Sequence, residues 1–294
     1  MNFRKEGVAM MRTRRNIYQT KPFPRLRRAL AITYDVVQRA HKVHGLIEVD
    51  VTDARRYLRS LEEQSGERLS FTAFIIACLA RAVDENKMMN ACRKGHRRLA
   101  IFDDVDVATA IERDLQGRKQ PIIYSVRGAN KKSIRAIHRE IRAAQVATFE
   151  SAWKGFEFEP ILMRTPMLAL RGLWAAFWWA RGRFPRLQKQ YGGTVGLSAV
   201  GMFGHGGGWA IPFSYHTLDV TLGGIATKPG VVDGRIAIRD YLAITLSFDH
   251  DIIDGAPAAR FAARLRELIE SGYGLREREI EPPIATGPQA VPAR

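Results

Sequence analysis

The sequence predicts an α+β fold in which helices pack against a mixed β-sheet as a sandwich. Residues 71–83 and 134–149 carry apolar patterns typical of helices. The segments after Thr194 are instead rich in residues that favour strands. Helices and strands do not alternate strictly, so a doubly wound parallel sheet is not expected. With 46% hydrophobic residues, the 294-residue chain can build a sizeable core, as one large domain or two small ones.

The first half of the chain predicts alternating helices and strands, several of them opened by a capping residue. The first helix is expected over Arg25–Lys42, preceded or opened by Pro22 and Pro24, and a strand follows over Gly45–Val51. Two helices come next, over Ala54–Gln64 with Thr52 or Asp53 as the cap and over Phe71–Val83 with Ser70 as the cap. Strands over Val105–Ile111 and Pro121–Val126 then lead to a helix that Ser133 caps and that runs to about Phe149.

The second half is dominated by strands. They are expected over Thr194–Ala199, Val220–Ala226, Arg235–Arg239 and Ala243–Phe248. The sequence Val232-Asp233-Gly234 predicts a hairpin turn, because Asp-Gly favours the left-handed conformations that tight hairpins need. A helix over Ala256–Ser271, ended by Gly272, closes the fold.

The chain is strongly basic, with 46 Lys and Arg against 30 Asp and Glu and a net charge of +16. This balance favours anionic partners such as phosphorylated cofactors, nucleic acid or acidic membranes, without choosing among them. The two cysteines lack metal-ligand spacing, and Cys78 lies in an apolar run that suits the core. No secretory signal is visible, so a cytoplasmic protein is expected. Residues 1–21 predict a flexible basic arm, and residues 274–294 a Pro-rich disordered tail.

The most informative stretch is Leu246–Arg260, LSFDHDIIDGAPAAR. A strand delivers His250, and Asp254-Gly255 opens a helix four residues later. A histidine at a strand end can project into a cleft and accept a proton from a thiol or hydroxyl near neutral pH. On chemistry alone, a non-catalytic His250 and a merely capping Asp254 remain the simpler interpretations.

The full string resembles the active-site motif of dihydrolipoamide acyltransferases, the acyltransferase components of 2-oxo acid dehydrogenase complexes. The string joins His-x-x-x-Asp-Gly to a preceding Ser-Phe-Asp and a following Ala-x-Ala-Ala-Arg-Phe. Chloramphenicol acetyltransferases share the shorter His-x-x-x-Asp-Gly core, but the Asp249-His250 pair and Ile252–Ala256 look closer to the first group. Further stretches resemble the same family, and together they cover about residues 22–273: YGGTVGLSAVGMFG at 191–204, Pro121-Ile122-Ile123, Ala129–Ile134, Glu48–Thr52 and Arg25–Ala29.

The resemblance implies a chloramphenicol-acetyltransferase-like two-layer sandwich, a homotrimer or a larger assembly of trimers, and active sites at subunit interfaces. It assigns His250 as the base that deprotonates the attacking thiol, and Ser198 as the donor to the oxyanion, from a different subunit. Asp254 would support the site, often through an arginine. Thioester exchange suits these roles, because a free thiol is mostly protonated at pH 7 and the tetrahedral intermediate needs a donor.

Coenzyme A, supplied as acyl-CoA, is the implied cofactor. Two groups of basic residues are candidates to bind its phosphates, with ordinary surface charges as the alternative. Arg25, Arg27 and Arg28 match the family's basic N-terminal helix, and Lys131 and Lys132 lie at a helix start. The sequence contains no lipoyl attachment site, so the resemblance implies that a separate protein carries the lipoyl group or that another acceptor is used.

Two stretches depart from the family pattern and leave the acyl specificity open. Ile211–Thr217 replaces an Asn-Pro-Pro turn, and Pro160–Tyr191, rich in tryptophan, replaces a short polar connection. The second segment suits a buried or trimer-facing helix, or a helix lying on a membrane surface. Its longest charge-free run, Gly172–Ala180, is too short to span a bilayer.

Three alternatives to a thiol acyltransferase stay open. A small-molecule O-acetyltransferase of the chloramphenicol type would use the same histidine. A trimeric scaffold without catalysis is disfavoured by the presence of His250, Asp254 and Ser198. A nucleic-acid binder is not expected, because the arginines are spread over many helices and the aromatic residues cluster in an apolar segment.

Overall fold

The computed structural model describes residues 20–23, 27–28, 31–32, 34–35, 40–95, 97–115, 118–146, 167–201 and 206–275. The helices of this part are α1 (Thr52–Ser65), α2 (Phe71–Glu85), α3 (Ile134–Val146), α4 (Met167–Arg183), α5 (Pro185–Gly192) and α6 (Gly255–Glu270). The strands are β1 (Lys42–Asp50), β2 (Ala91–Lys94), β3 (Arg98–Ile101), β4 (Val107–Leu115), β5 (Arg118–Val126), β6 (Val195–Ala199), β7 (Leu218–Val232) and β8 (Arg235–Asp249).

Six strands form one mixed sheet in the order β1-β8-β7-β6-β4-β5, in which β6 is parallel to both of its neighbours and the other pairs are antiparallel. Strands β2 and β3 form a separate antiparallel hairpin. The predicted α+β class with a mixed sheet is therefore confirmed.

The core lies between one face of the large sheet and the helices α2, α3 and α6. Helix α2 is apolar nearly all round, which suits a central helix covered on every side. Along β7 and β8, alternate residues such as Val220, Ile244 and Leu246 enter this core. The residues between them, including Asp219, Thr221 and Thr245, consequently face the opposite side of the sheet.

The β7–β8 hairpin turns where the sequence predicts it. Asp233 and Gly234 have φ angles of 49° and 75°, both in the left-handed region that the Asp-Gly pair favours. The prediction of two separate strands over 235–239 and 243–248 is wrong, because one strand, β8, runs continuously over 15 residues. Pairing with β7 along its whole length carries the strand across the residues between them.

Several capping predictions need correction. Helix α1 already includes Thr52, and its N-cap is Val51, because the Thr52 hydroxyl bonds to Asp50 instead. Ser70 and Asp254 occupy their N-cap positions but make no side-chain capping bond. Ser133 does cap α3, accepting a hydrogen bond from the Ala136 amide at 3.1 Å.

The first predicted helix is also too long at its end. Residues 27–28, 31–32 and 34–35 are helical, but Lys42 begins strand β1, where it pairs with Asp249 of β8. Long-range pairing here decides the conformation, which local propensity alone does not reveal. The predicted arm and tail lie almost wholly outside the described residues, and so does Phe149. Cys78 is fully buried, as predicted.

Candidate active site

His250 stands immediately after the last residue of β8, in a tight turn that leads into α6. Its amide donates to the carbonyl of His41 at 2.8 Å, and the preceding amide of Asp249 donates to Thr217 at 2.9 Å. The side chain of Ile253 is almost wholly buried and anchors the far end of the turn. The backbone that carries His250 is therefore fixed on both sides.

The imidazole of His250 is exposed, and it makes no side-chain hydrogen bond or ion pair within the described part of the chain. The neighbouring carboxylate of Asp251 is occupied instead by His41, at 2.9 Å, and by Arg93, at 3.0 Å. The hydrogen bond from His41, assisted by the charge of Arg93, lowers the pKa of Asp251. The imidazole of His250 thus has no side-chain hydrogen bond or ion pair among the described residues, and a neutral imidazole of this kind can accept a proton.

A buried charged network lies beside this turn, made by Lys42, His216, Asp219 and Asp249. The ammonium group of Lys42 donates to the carbonyl oxygen of His216. Burial lowers the pKa of Lys42, and the nearby carboxylates of Asp219 and Asp249 oppose that effect. Asp249 also accepts a hydrogen bond from the Asp251 amide at 3.1 Å, which ties the network to the turn that carries His250.

The centre of this network is a buried pair. The Nδ1 atom of His216 lies 2.7 Å from Asp219, and its Nε2 atom lies 2.7 Å from the carbonyl oxygen of Gly192. Since both neighbours are acceptors, both ring nitrogens donate and the arrangement suits the cationic imidazolium. Burial alone would raise the pKa of Asp219, but His216, together with a hydrogen bond from Ser214, lowers it to about 2.

Ser198 lies on β6 and is half-buried. It is in register with Thr221 on β7, which is in register with Thr245 on β8. The three hydroxyl groups therefore form a row across the sheet face opposite the helices. The hydroxyl oxygens of Thr221 and Thr245 are buried and have no hydrogen-bond partner among the described residues.

The structure does not bring Ser198 and His250 together within one chain. The row through Ser198 reaches β8 at Thr245, and His250 lies five residues further along, about 16 Å at the rise of a strand. Two strand spacings add roughly 10 Å across the sheet. No single small group can touch both side chains of the same chain at this separation.

Asp254 is exposed at the N-cap of α6. Its side chain forms no ion pair with any residue that the structure describes, so the supporting arginine implied by the resemblance is not found within this part of the chain. Its carbonyl oxygen accepts the first helical hydrogen bond, from Ala258 at 3.1 Å. Asp254 therefore shapes the start of α6 through its backbone.

The candidate CoA-binding residues fall into two groups. Lys131 is paired with Asp104 at 2.5 Å and Lys132 with Glu140 at 2.5 Å, so both ammonium groups already have carboxylate partners. Arg27 and Arg28 are exposed and form no ion pair with the described residues. Arg25 lies outside the described residues.

A glycine-lined cleft of about 180 Å³ lies just beyond Ser198, between the end of β6 and a bulge in β7. The bulge at Gly223 and Gly224 pairs with Gly208. A Cβ atom on Gly223 would lie only 2.0 Å from the carbonyl oxygen of Gly208, so no side chain fits at this approach. Backbone groups therefore line the cleft, and they can approach a ligand closely.

The profile of the family described as 2-oxoacid dehydrogenases acyltransferase (catalytic domain) matches residues 16–158 and 180–275. The chain belongs to this family. It is thus an acyltransferase of the 2-oxoacid dehydrogenase type by descent, as the motif around His250 predicts.

The curated relatives of this chain are longer than the chain itself, and the match to each is either low in identity or short. The lipoamide acyltransferase component of the branched-chain alpha-keto acid dehydrogenase complex of Bacillus subtilis is 24% identical over 77% of this chain and 46% of its own length. The dihydrolipoyllysine-residue acetyltransferase component of the pyruvate dehydrogenase complex of Zymomonas mobilis is 39% identical over 33% of this chain and 22% of its own. The chain thus spans less than half the length of these relatives.

Solved structures share the fold at low identity. The cubic core of the pyruvate dehydrogenase multienzyme complex has a TM-score of 0.64 at 17% identity, covering 93% of this chain and 99% of its own. An Azotobacter vinelandii dihydrolipoamide acetyltransferase, whose study concerned a serine, a histidine and an asparagine in its catalytic mechanism, has a TM-score of 0.62 at 18% identity, with the same coverage.

Sequence reasoning did not identify the charged network beside His250. His216 and Asp219 stand three residues apart in and just after Ile211–Thr217, the stretch where the sequence departs from the family's turn, and that departure was the available signal. The helical pattern of Arg25–Lys42 predicts a helix at Lys42 and gives no sign of its position opposite Asp249. The proximity of Lys42, Asp249 and the His216–Asp219 pair depends on strand register, which no local pattern specifies.

Proposed function

We propose that this protein transfers an acyl group between coenzyme A and a thiol of the dihydrolipoyl type, with His250 as the general base. The observation that carries the proposal is the exposed imidazole of His250, on a turn whose backbone is held by hydrogen bonds to His41 and Thr217. Such a group can take the proton of an incoming thiol as the sulfur attacks the thioester carbonyl. The same histidine then returns the proton to the departing thiolate.

Ser198 would donate a hydrogen bond to the oxygen of the tetrahedral intermediate. The spacing of these residues supports the assignment. In the Azotobacter enzyme the serine precedes the histidine by 52 residues and the asparagine follows it by four. Ser198 and Asp254 stand at the same two spacings from His250, with an aspartate in the asparagine's place.

The separation of Ser198 and His250 within one chain leads to a two-subunit site. If both act on one acyl group, they come from neighbouring copies, and a closed ring of three provides three equivalent sites. We therefore propose a homotrimer, as the cubic core of a related complex is itself an assembly of such chains. The glycine-lined cleft beyond Ser198 would admit the thioester to this interface.

The acyl acceptor is proposed to be a thiol of a dihydrolipoyl group. An acetyltransferase acting on a small-molecule hydroxyl would use the same base, so the acceptor itself must be tested. Purified protein would be given a panel of acyl-CoAs with dihydrolipoamide or with hydroxyl acceptors, and the release of free CoA followed. Turnover with dihydrolipoamide supports the proposal, whereas turnover with hydroxyl acceptors alone contradicts it.

The two-subunit site has its own test. His250→Ala and Ser198→Ala chains, each inactive alone, would be refolded together in equal amounts. Random mixing leaves about a quarter of the interfaces with an intact histidine and an intact serine, so about a quarter of the wild-type activity should return. If the mixture stays inactive although mixed trimers form, the two residues do not share a site.

A further inference from the structure

Helix α4 is apolar on its outward face as well as on its inward face. On the inward face, Trp178 and Arg181 pack against Tyr215, with the Arg181 guanidinium 4.5 Å from the Tyr215 ring centre. This face is covered by the rest of the chain, and Arg181 is 7% exposed. A helix that is apolar all round normally lies inside a protein, so a solvent-exposed second face requires a further partner.

The outward face is wide and carries large side chains. Trp179 is 68% exposed and Leu173 is 56% exposed, and Phe184 directly after the helix is 53% exposed. Gly172 and Ala176 lie between them and are also exposed. We call these five residues the outer face of α4.

Basic residues surround the outer face. Arg171 lies beside it, and Arg183 and Arg186 lie at its C-terminal end. The amide of Gly95 donates to the carbonyl of Gly182 at 2.9 Å, which places the β2–β3 hairpin against the same end. That hairpin contributes three more exposed cations to the basic rim: Lys94, Arg97 and Arg98.

None of these six cations forms an ion pair with a residue that the structure describes. The sequence explains why, because neither residues 91–101 nor residues 160–192 contain a single aspartate or glutamate. The rim is therefore a concentrated positive field around an exposed apolar surface, and it lacks a carboxylate of its own to balance it.

The family match provides an independent observation. It stops at residue 158 and resumes at residue 180, so residues 159–179, most of α4 among them, are not part of the pattern that the family shares. The His250 turn and Ser198 both lie in the matched part. Four of the five residues of the outer face, all except Phe184, thus lie outside the pattern that the family shares.

We propose that the outer face of α4 docks onto an anionic lipid surface, with the helix lying in the plane of the interface. Exposed tryptophan, phenylalanine and leucine suit the depth of the headgroups, and arginines around them suit acidic lipids. A second copy of α4 fits less well, because it would bring two unbalanced basic rims together. None of the helices that the structure describes is long and apolar enough to cross a bilayer.

The proposal is tested by flotation of the full-length protein with vesicles of phosphatidylcholine alone or mixed with phosphatidylglycerol. The wild type should float with the anionic vesicles only. Raising the ionic strength from about 0.1 M to about 1 M shortens the Debye length from about 10 Å to about 3 Å and should release it. A wild type that fails to float with anionic vesicles at the lower ionic strength overturns the proposal.

Variants separate the outer face from other exposed residues. Leu173→Gln/Trp179→Gln should abolish flotation. Arg183→Glu/Arg186→Glu should weaken the affinity for anionic vesicles more than about tenfold, since each basic residue at such a surface contributes roughly a fivefold factor to that affinity. The matched controls are Ile236→Gln/Ile238→Gln, at two apolar residues of the β7–β8 hairpin that are even more exposed, and Arg235→Glu/Arg266→Glu. Both controls should float as the wild type does.

Two outcomes would contradict the proposal. If the outer-face variants float like the wild type, another basic segment binds the vesicles. If the same variants instead reduce the size of the particle in lipid-free solution, the outer face is an interface between copies of the chain. Acyl transfer should be unchanged in every one of these variants, so the result does not depend on the proposed function.

Discussion

The ring of His216 lies between two acceptors, 2.7 Å from the carboxylate of Asp219 and 2.7 Å from the carbonyl oxygen of Gly192. The pair links the loop before β7 to the end of α5, and Lys42 connects it to β8, the strand that leads into His250. A buried ion pair of this kind adds little net stability over apolar packing, but removal of one partner leaves an unpaired buried charge. Loss of one partner should therefore disturb the turn that carries His250.

Asp219→Asn should lower the free energy of unfolding at pH 7 by about 3–5 kcal/mol, because His216 and Lys42 lose their buried counter-charge. The folded-state pKa of Asp219, about 2, lies below its ordinary value. The stabilisation is thus present above about pH 4 and is lost as the pH falls through about 2.

Urea unfolding of the wild type and the variant at several pH values measures this effect. The difference between the two proteins should shrink by about 2 kcal/mol between pH 4 and pH 2, which is the linkage for a shift of this size. Asp233→Asn is the matched control, since Asp233 is exposed in the hairpin turn, and it should show no such difference. A difference that is constant with pH would mean that the stability effect does not come from the charge of Asp219.

The fold was predictable from the sequence where local pattern and final contacts agree. The apolar run of α2, the Asp-Gly turn and the strand segment just before His250 each carry their signal within a few residues. Lys42 shows where this fails. Its neighbours in sequence favour a helix, yet its position is decided by pairing with Asp249, more than 200 residues away.

The candidate site was predictable to a similar degree. His250, Asp254 and Ser198 were identified from motifs, but their separation in one chain follows only from the order of strands in the sheet. The row of hydroxyls formed by Ser198, Thr221 and Thr245 likewise depends on register across three strands. A spacing in sequence cannot show which residues share a face across strands.

His250→Ala should reduce the turnover number by at least about 10²-fold while the protein stays folded, because the imidazole is exposed and supports no other side chain. Steady-state kinetics with acyl-CoA and dihydrolipoamide measure this. His138→Ala serves as the control, since His138 lies on α3 and only accepts a hydrogen bond from the Ser70 amide. Near wild-type turnover in the His250 variant would remove it as the base.

Ser198→Ala should lower kcat by about 10²–10³-fold and leave KM nearly unchanged, because its hydrogen bond to the oxyanion forms only in the transition state. Ser125→Ala removes a comparable half-buried hydroxyl from β5 of the same sheet and should leave kcat unaltered. A rise in KM alone would show that Ser198 binds substrate and does not stabilise the intermediate.

The basic residues proposed to bind CoA are not equivalent in the structure. Lys131 and Lys132 already neutralise Asp104 and Glu140, and hydrogen bonding to Asp104 raises the pKa of Lys131. Arg27 and Arg28 are exposed without a carboxylate partner among the described residues. A phosphate group gains more from an unpaired guanidinium than from an ammonium group that must first leave its partner.

Arg27→Ala/Arg28→Ala should therefore weaken CoA binding by about tenfold and reduce its dependence on salt, because each removes a contact that added salt would otherwise screen. Lys131→Ala/Lys132→Ala is the matched double variant, and it should change the affinity for CoA by less than about threefold, as is usual for exposed ion pairs. Calorimetric titration of CoA at two ionic strengths distinguishes them. Equal losses of CoA affinity in both variants would point to the general positive field of the protein. An unchanged affinity in the arginine variant would exclude Arg27 and Arg28 from the CoA site.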